Sequence, residues 1–277
     1  MSVRFCLAGS ARERQVETEI GRAVLAEELG FEGMFFSEGI MSGLDPFQIC
    51  AMAAARTKRV LLGTAIMTMA FREPVVIANQ AVTLNEATDG RVFLGLGSGD
   101  ATVYTMARTA TPLVEFEKGV RLIRDLVNGK SIPIPKGKEQ EAGEARLRSG
   151  KCGLPVYVAA AGPRALQMAG RVADGVILGS GFDLRALNWA RDHVARGARE
   201  AGRDVSDIEL MGAGIVCVDN NGDRALELAK GRLANRAHHN FRFDLHAVPD
   251  EELEGVRRFM DNFDISKPFE QRSDPRL

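Results

Sequence analysis

Short apolar runs, each followed by a stretch of helical period, recur along the chain, and this alternation restricts its possible folds more than any other feature. VRFCLAG precedes a helical stretch with apolar positions at Val16, Ile20, Val24, Leu25 and Leu29, and Gly30 supplies its stop. GMFFSEG precedes DPFQICAMAAARTK, which places Asp45 as N-cap and Pro46 in the first turn. VLLGTAI, VFLGLGSG, PVYVAAAG, GVILGSG and IELMGAGIVCVD read as further strands, seven in all, with helices between and after them, one closed by Gly129. Strands apolar on both faces and separated by helices require a parallel sheet covered on each side, either doubly wound or closed into a barrel. AGSARER, after the first strand, lacks the GxGxxG of dinucleotide folds, which favours an α/β fold of the (β/α)8 TIM-type barrel kind. The tail after about residue 248 shows no eighth strand, so the barrel is expected to be incomplete at its C-terminal end. Residues 130–153, rich in Gly, Pro and charge, read as an insertion or hairpin over one face. With no Pro/Ser-rich linker in the chain, residues 1–277 are expected to form a single domain.

Thirty-six basic residues against thirty-seven acidic ones give a formal charge of -1, so the electrostatic footprint of a nucleic-acid binder is missing. No apolar run is long enough for a bilayer span, and the amino terminus is too polar for a secretory signal, so a cytoplasmic protein is expected. Cys6, Cys50, Cys152 and Cys217 lie far apart and read as reduced, packed thiols. None of the four histidines has metal-ligand spacing, and no metal is expected. Without a GxSxG elbow or a P-loop, nucleophilic hydrolases and nucleotide triphosphatases fall back.

In a parallel barrel the functional groups come from the carboxyl ends of the strands. Two carboxylates stand there, Glu38 after the second strand and Asp100 after the fourth, and a water-poor pocket would tune one of them for proton transfer. The competing reading makes each a helix cap or the partner of an arginine such as Arg72. Asp100 is the first choice, because the GSGD loop around Gly99 is small enough to admit a ligand. AAAGPRALQMAG joins a strand end at Ala161 to a helix start, where Gly162 permits close approach and free amides can hold an anion. Arg164 would add charge there, or face solvent. Gly179 and Ser180 leave room at the sixth strand end.

AEELGFEGMFFSEG, LLGTAIMTMAFREPVVIANQAVTLNEATDGRVFLGLGSGD and LPVYVAAAGPRALQMAGRVADGVILGSG, in that order over residues 20 to 182, resemble the luciferase-like flavin monooxygenase superfamily. The likeness is greatest to its deazaflavin-dependent methylenetetrahydromethanopterin reductase branch. The resemblance implies a cofactor ring across the carboxyl end of the strands, either FMN or coenzyme F420. It implies a non-prolyl cis peptide bond between Ala65 and Ile66, against that ring. It places Asp100 near the reacting ring, Gly162, Arg164 and Ala165 at the cofactor phosphate, and Gly179 and Ser180 beside the cofactor. The branch often has Asp-His after the second strand, where this chain has Glu38 and Gly39, so no histidine acts there. The expected activity is hydride transfer to or from a small organic substrate, or monooxygenation with reduced FMN, in a homodimer. The alternatives are a non-catalytic flavin-binding protein and a flavin-free barrel enzyme acting on a phosphorylated substrate.

Overall fold

A computed structural model describes residues 3–9, 15–41, 43–99, 103, 106–138, 141–179, 181–241, 245 and 248–264. It divides into two compact units, Met1–Ala159 with Val172–Gly175, and Ala160–Arg171 with Val176–Leu277.

The first unit opens β1 (Cys6–Ala8), α1 (Val16–Glu28), β2 (Gly33–Phe36), α2 (Pro46–Ala54), β3 (Leu61–Thr68), α3 (Pro74–Ala87), β4 (Val92–Gly97) and α4 (Leu113–Val127). A two-stranded antiparallel ribbon, β5 (Ile132–Ile134) and β6 (Gly143–Ala145), fills the polar segment, and β7 (Val156–Ala160) returns beside β4. The pairs β1/β2, β2/β3, β3/β4 and β4/β7 are all parallel. Every residue of β2 and β4 is buried, as covering both faces with helices demands.

Local chemistry sets the helix ends. Leu29 closes α1, after which Gly30 takes φ 80° while its amide and that of Phe31 bond back to Glu27 and Ala26. Gly129, at φ 76°, ends α4 with the same pair of bonds, to Leu126 and from Lys130 to Asp125. Asp45 caps α2 by accepting from the Gln48 amide at 3.1 Å, with Pro46 in the first turn.

Gly63 of β3 pairs with Phe35 of β2 on one side and Phe93 of β4 on the other. The two rings meet edge to face, with centroids 4.2 Å apart. A Cβ on Gly63 would lie 2.3 Å from the Phe93 ring, so only glycine leaves room for the contact. Tyr157 of β7 continues the cluster, 5.1 Å from Phe93.

The second unit begins with the end of β7 and α5 (Pro163–Val172), and continues with β8 (Gly175–Leu178), α6 (Leu184–Glu200), β9 (Glu209–Gly212), α7 (Gly222–Phe241) and α8 (Leu253–Asn262). Strands β8 and β9 are neighbours. The sequence reading carries this last strand on to Asp219, but β9 stops at Gly212. Ala213 makes one more bond, to the Leu178 carbonyl, and Val216 and Val218 then stand 71% and 92% exposed. Alternation alone does not make a strand where no neighbour pairs with it. Among the described residues no helix is long and apolar enough to cross a membrane.

Candidate active site

At the carboxyl end of β3 the register against β4 shifts between Thr64 and Met67, so three steps on β3 face two on β4. This bulge lifts Ala65 and Ile66 into half-exposed positions in a strand end that is otherwise buried. The peptide bond between them is cis, at the place the resemblance implied. Two bonds from the end of β2 hold the segment: Ser37 Oγ donates to the Ala65 carbonyl at 2.7 Å, and the Glu38 amide donates to the Ile66 carbonyl at 3.3 Å.

The bulge leaves Gly95 of β4 without a ladder partner on its β3 side, and the Thr64 side chain takes that place. Its buried hydroxyl donates to the Gly95 carbonyl at 2.9 Å and accepts from the Gly95 amide at 3.0 Å. Ile66 then lies over Gly97, where a Cβ would fall 1.9 Å from its Cδ1. Gly99 follows at φ 120°, a backbone conformation that disfavours side chains.

Glu38 is buried, and both its oxygens are engaged. Oε2 accepts from the Thr68 amide at 2.9 Å, and Oε1 accepts from Arg72 Nη1. The other arm of Arg72, Nη2, reaches Asp45 Oδ2, so one guanidinium bridges two carboxylates. Burial pushes the Glu38 carboxyl above its ordinary range, outweighing the Thr68 amide and the Arg72 charge, which act the other way. The cleft beside this cluster, of about 270 Å³, is also lined by Ile40, Leu44 and Phe71. Glu38 therefore pairs with Arg72, as the competing reading has it, and at the same time lines a cleft with its carboxyl raised by burial.

In the second unit, Gly162 accepts the Leu166 amide at 3.0 Å and so stands just before the first turn of α5. Among the described residues nothing lies within 4 Å of where its Cβ would be. Ala161 and Arg164 are exposed, and Ala165 is half-buried. The first amides of a helix have no partner within it, which is the chemistry an anion requires. At the end of β8, Arg236 of α7 donates from Nε to the Gly179 carbonyl at 3.0 Å, and its Nη2 occupies the place a Cβ on Gly179 would need. Asp100 and Ser180 lie outside the described residues.

The structure thus gathers Ser37, Glu38, Ala65 and Ile66 at one place and adds Asp45, Arg72 and Thr64 to them. Thr64 went unnoticed in the sequence because a threonine within a strand is ordinary. Arg236 gave no signal either, since it sits in a helix 57 residues from the carbonyl it reaches.

Residues 3–265 match the family model described as luciferase-like monooxygenase. An F420-dependent glucose-6-phosphate dehydrogenase 2 of Rhodococcus jostii is 34% identical over 221 residues, which cover 74% of this chain and 66% of that protein. The chain therefore spans 66% of the length of this relative. The structure of the coenzyme F420-dependent tetrahydromethanopterin reductase from Methanopyrus kandleri superposes with TM-score 0.80 at 22% identity, covering 100% of this chain and 84% of that one. The oxygenating constituent of 3,6-diketocamphane monooxygenase from Pseudomonas putida, in complex with FMN, superposes with TM-score 0.63 at 20% identity, covering 100% and 82%. The fold is accordingly that of a luciferase-like (β/α) barrel, with seven main strands among the described residues in place of eight.

Proposed function

Because the chain belongs to the luciferase-like monooxygenase family, we propose that it is a flavin- or deazaflavin-dependent oxidoreductase acting on a small organic substrate. The observation that carries this reading is the bulged end of β3, which presents half-exposed Ala65 and Ile66 beside a buried Glu38 whose carboxyl is pushed up by burial. Coenzyme F420 or FMN would supply the hydride chemistry, or the activation of oxygen in the case of reduced FMN.

The chain's own residues bind and orient. Ala65, Ile66 and Gly99 would support the ring, while Ala161, Gly162, Arg164 and Ala165 would hold the phosphate at the start of α5, with Gly179 and Ser180 beside the cofactor. Proton transfer falls first to Asp100 and second to Glu38, whose Oε1 and Oε2 are fixed by Arg72 and Thr68. The polar segment 130–153 and the tail belong, in this reading, to one barrel domain over residues 1–277. A cytoplasmic homodimer completes the proposal, supported by exposed Leu25 and Leu29 on α1 and Val75 and Val76 on α3.

Titration of the protein with FMN and with coenzyme F420, followed by visible absorbance, tests the central claim. One of the two is expected to show a saturable spectral change, and silence with both would remove the reading. Sedimentation velocity should then show a species of twice the 30.1 kDa chain mass.

A further inference from the structure

We propose that the cleft at the end of β2 takes compact substrates that carry no anionic group, and that Arg72, held between Glu38 and Asp45, sets this preference. This deepens the oxidoreductase reading and rests on it for the identity of the cleft as the substrate's place.

Among the described residues three charged side chains line the cleft: Glu38, Asp45 and Arg72. Each terminal nitrogen of Arg72 already faces a carboxylate, Nη1 on Glu38 and Nη2 on Asp45, so the guanidinium charge is balanced from both sides. With both carboxylates ionised the lining carries one net negative charge, and with Glu38 protonated it is neutral. In neither state does it attract an anion. A phosphate or carboxylate reaching Arg72 would meet two carboxylates already beside it, and must either share the guanidinium with both or displace one. Displacing Glu38, whose side chain is 3% exposed, would strand a buried charge, which is strongly unfavourable. Displacing Asp45 is easier, at 26% exposure, but leaves two anions competing for one guanidinium.

The rest of the lining points the same way. Ile40, Leu44 and Phe71 present apolar surface, and a volume of about 270 Å³ lies at the small end of ligand sites. A compact, uncharged molecule loses little on entering such a space. The relative named for glucose 6-phosphate is therefore a poor guide to the substrate of this chain.

Asp45→Asn isolates the effect. Asparagine caps a helix as well as aspartate does, so its oxygen keeps the bond from the Gln48 amide while the charge on the Arg72 side disappears. Inorganic phosphate and glucose 6-phosphate are titrated calorimetrically into the cofactor-loaded full chain, whose phosphate seat is then filled. Asp45→Asn is expected to bind both about tenfold or more tightly than the unaltered protein, the effect of freeing one charged hydrogen-bond donor. Glu38→Gln, which frees the other arm, should gain affinity in the same direction.

The proposal is overturned if the unaltered protein binds or oxidises glucose 6-phosphate as well as Asp45→Asn does, or if neither variant gains affinity. Failure of the oxidoreductase reading shows itself separately, as silence of both cofactors in the absorbance titration. In that event the cleft has no claim to be a substrate site and the proposal falls with that reading, whereas a saturable cofactor change with no gain in either variant overturns the proposal alone.

Discussion

Thr64 satisfies two backbone groups of Gly95 with one hydroxyl, at the one point where the β3/β4 ladder is interrupted. Thr64→Val keeps the shape and removes both bonds, leaving a buried amide and carbonyl unmet at a cost of about 1–3 kcal/mol each. Urea unfolding should show that loss, and Thr64→Ser should restore most of it; a valine variant as stable as the parent would refute the account. Glu38 carries a pH signature of its own. Its carboxyl is raised above the ordinary value of 4.5, chiefly by burial, so the folded state holds the proton more tightly than the unfolded chain. Its contribution to stability is complete below that ordinary value and declines as pH climbs through it toward the raised one. Glu38→Gln should flatten this part of the stability profile. Glu38 could be singled out because strand ends follow from the pattern of apolar runs, whereas Ala65 and Ile66 were marked only by the family resemblance. The bridging of Glu38 and Asp45 by Arg72 was only half legible, since Asp45 announces itself as a cap and hides its second role.

Between elements, one tie outside the cleft is Glu27, near the end of α1, whose carboxylate accepts the amides of Lys58, Arg59 and Val60 just before β3. Partial burial acts upward on this carboxyl, but the amides of Val60, Arg59 and Lys58, together with the Arg59 charge, outweigh it and hold it below the ordinary value. The sign is opposite to that of Glu38. The stability it provides is present above the ordinary carboxylate range and is lost as pH falls through the lowered value. Glu27→Gln should cost about 1–2 kcal/mol at neutral pH and much less in acid, measured by urea melts at the two pH values. Helix boundaries were well marked in the sequence, because Gly30, Gly129 and the pair Asp45–Pro46 act through local backbone geometry. The end of β9 was not, since whether Gly214 to Asp219 pair depends on a neighbour that alternation cannot reveal.

The whole chain was read from its sequence as one domain, whereas its contacts gather into two compact units. A single domain predicts one cooperative transition. Trp189, the sole tryptophan, lies in α6 of the second unit, so its fluorescence follows that unit while far-UV circular dichroism follows the entire chain. Coincident urea curves would support the single domain, and a separation between them would replace it with two. Strand order and helix placement were legible because period and punctuation are local, but the alignment of one strand on the next is a matter of fit. Here the glycine at position 63 acts as a key. A slip of β3 by two residues keeps the pleat in phase but brings Leu61 or Ala65 into a gap that admits only hydrogen, between Phe35 and Phe93. Misaligned pairings are thus rejected deep in the sheet. Ser37 and Glu38 find Ala65 and Ile66 because two rings some residues earlier have already refused every other match.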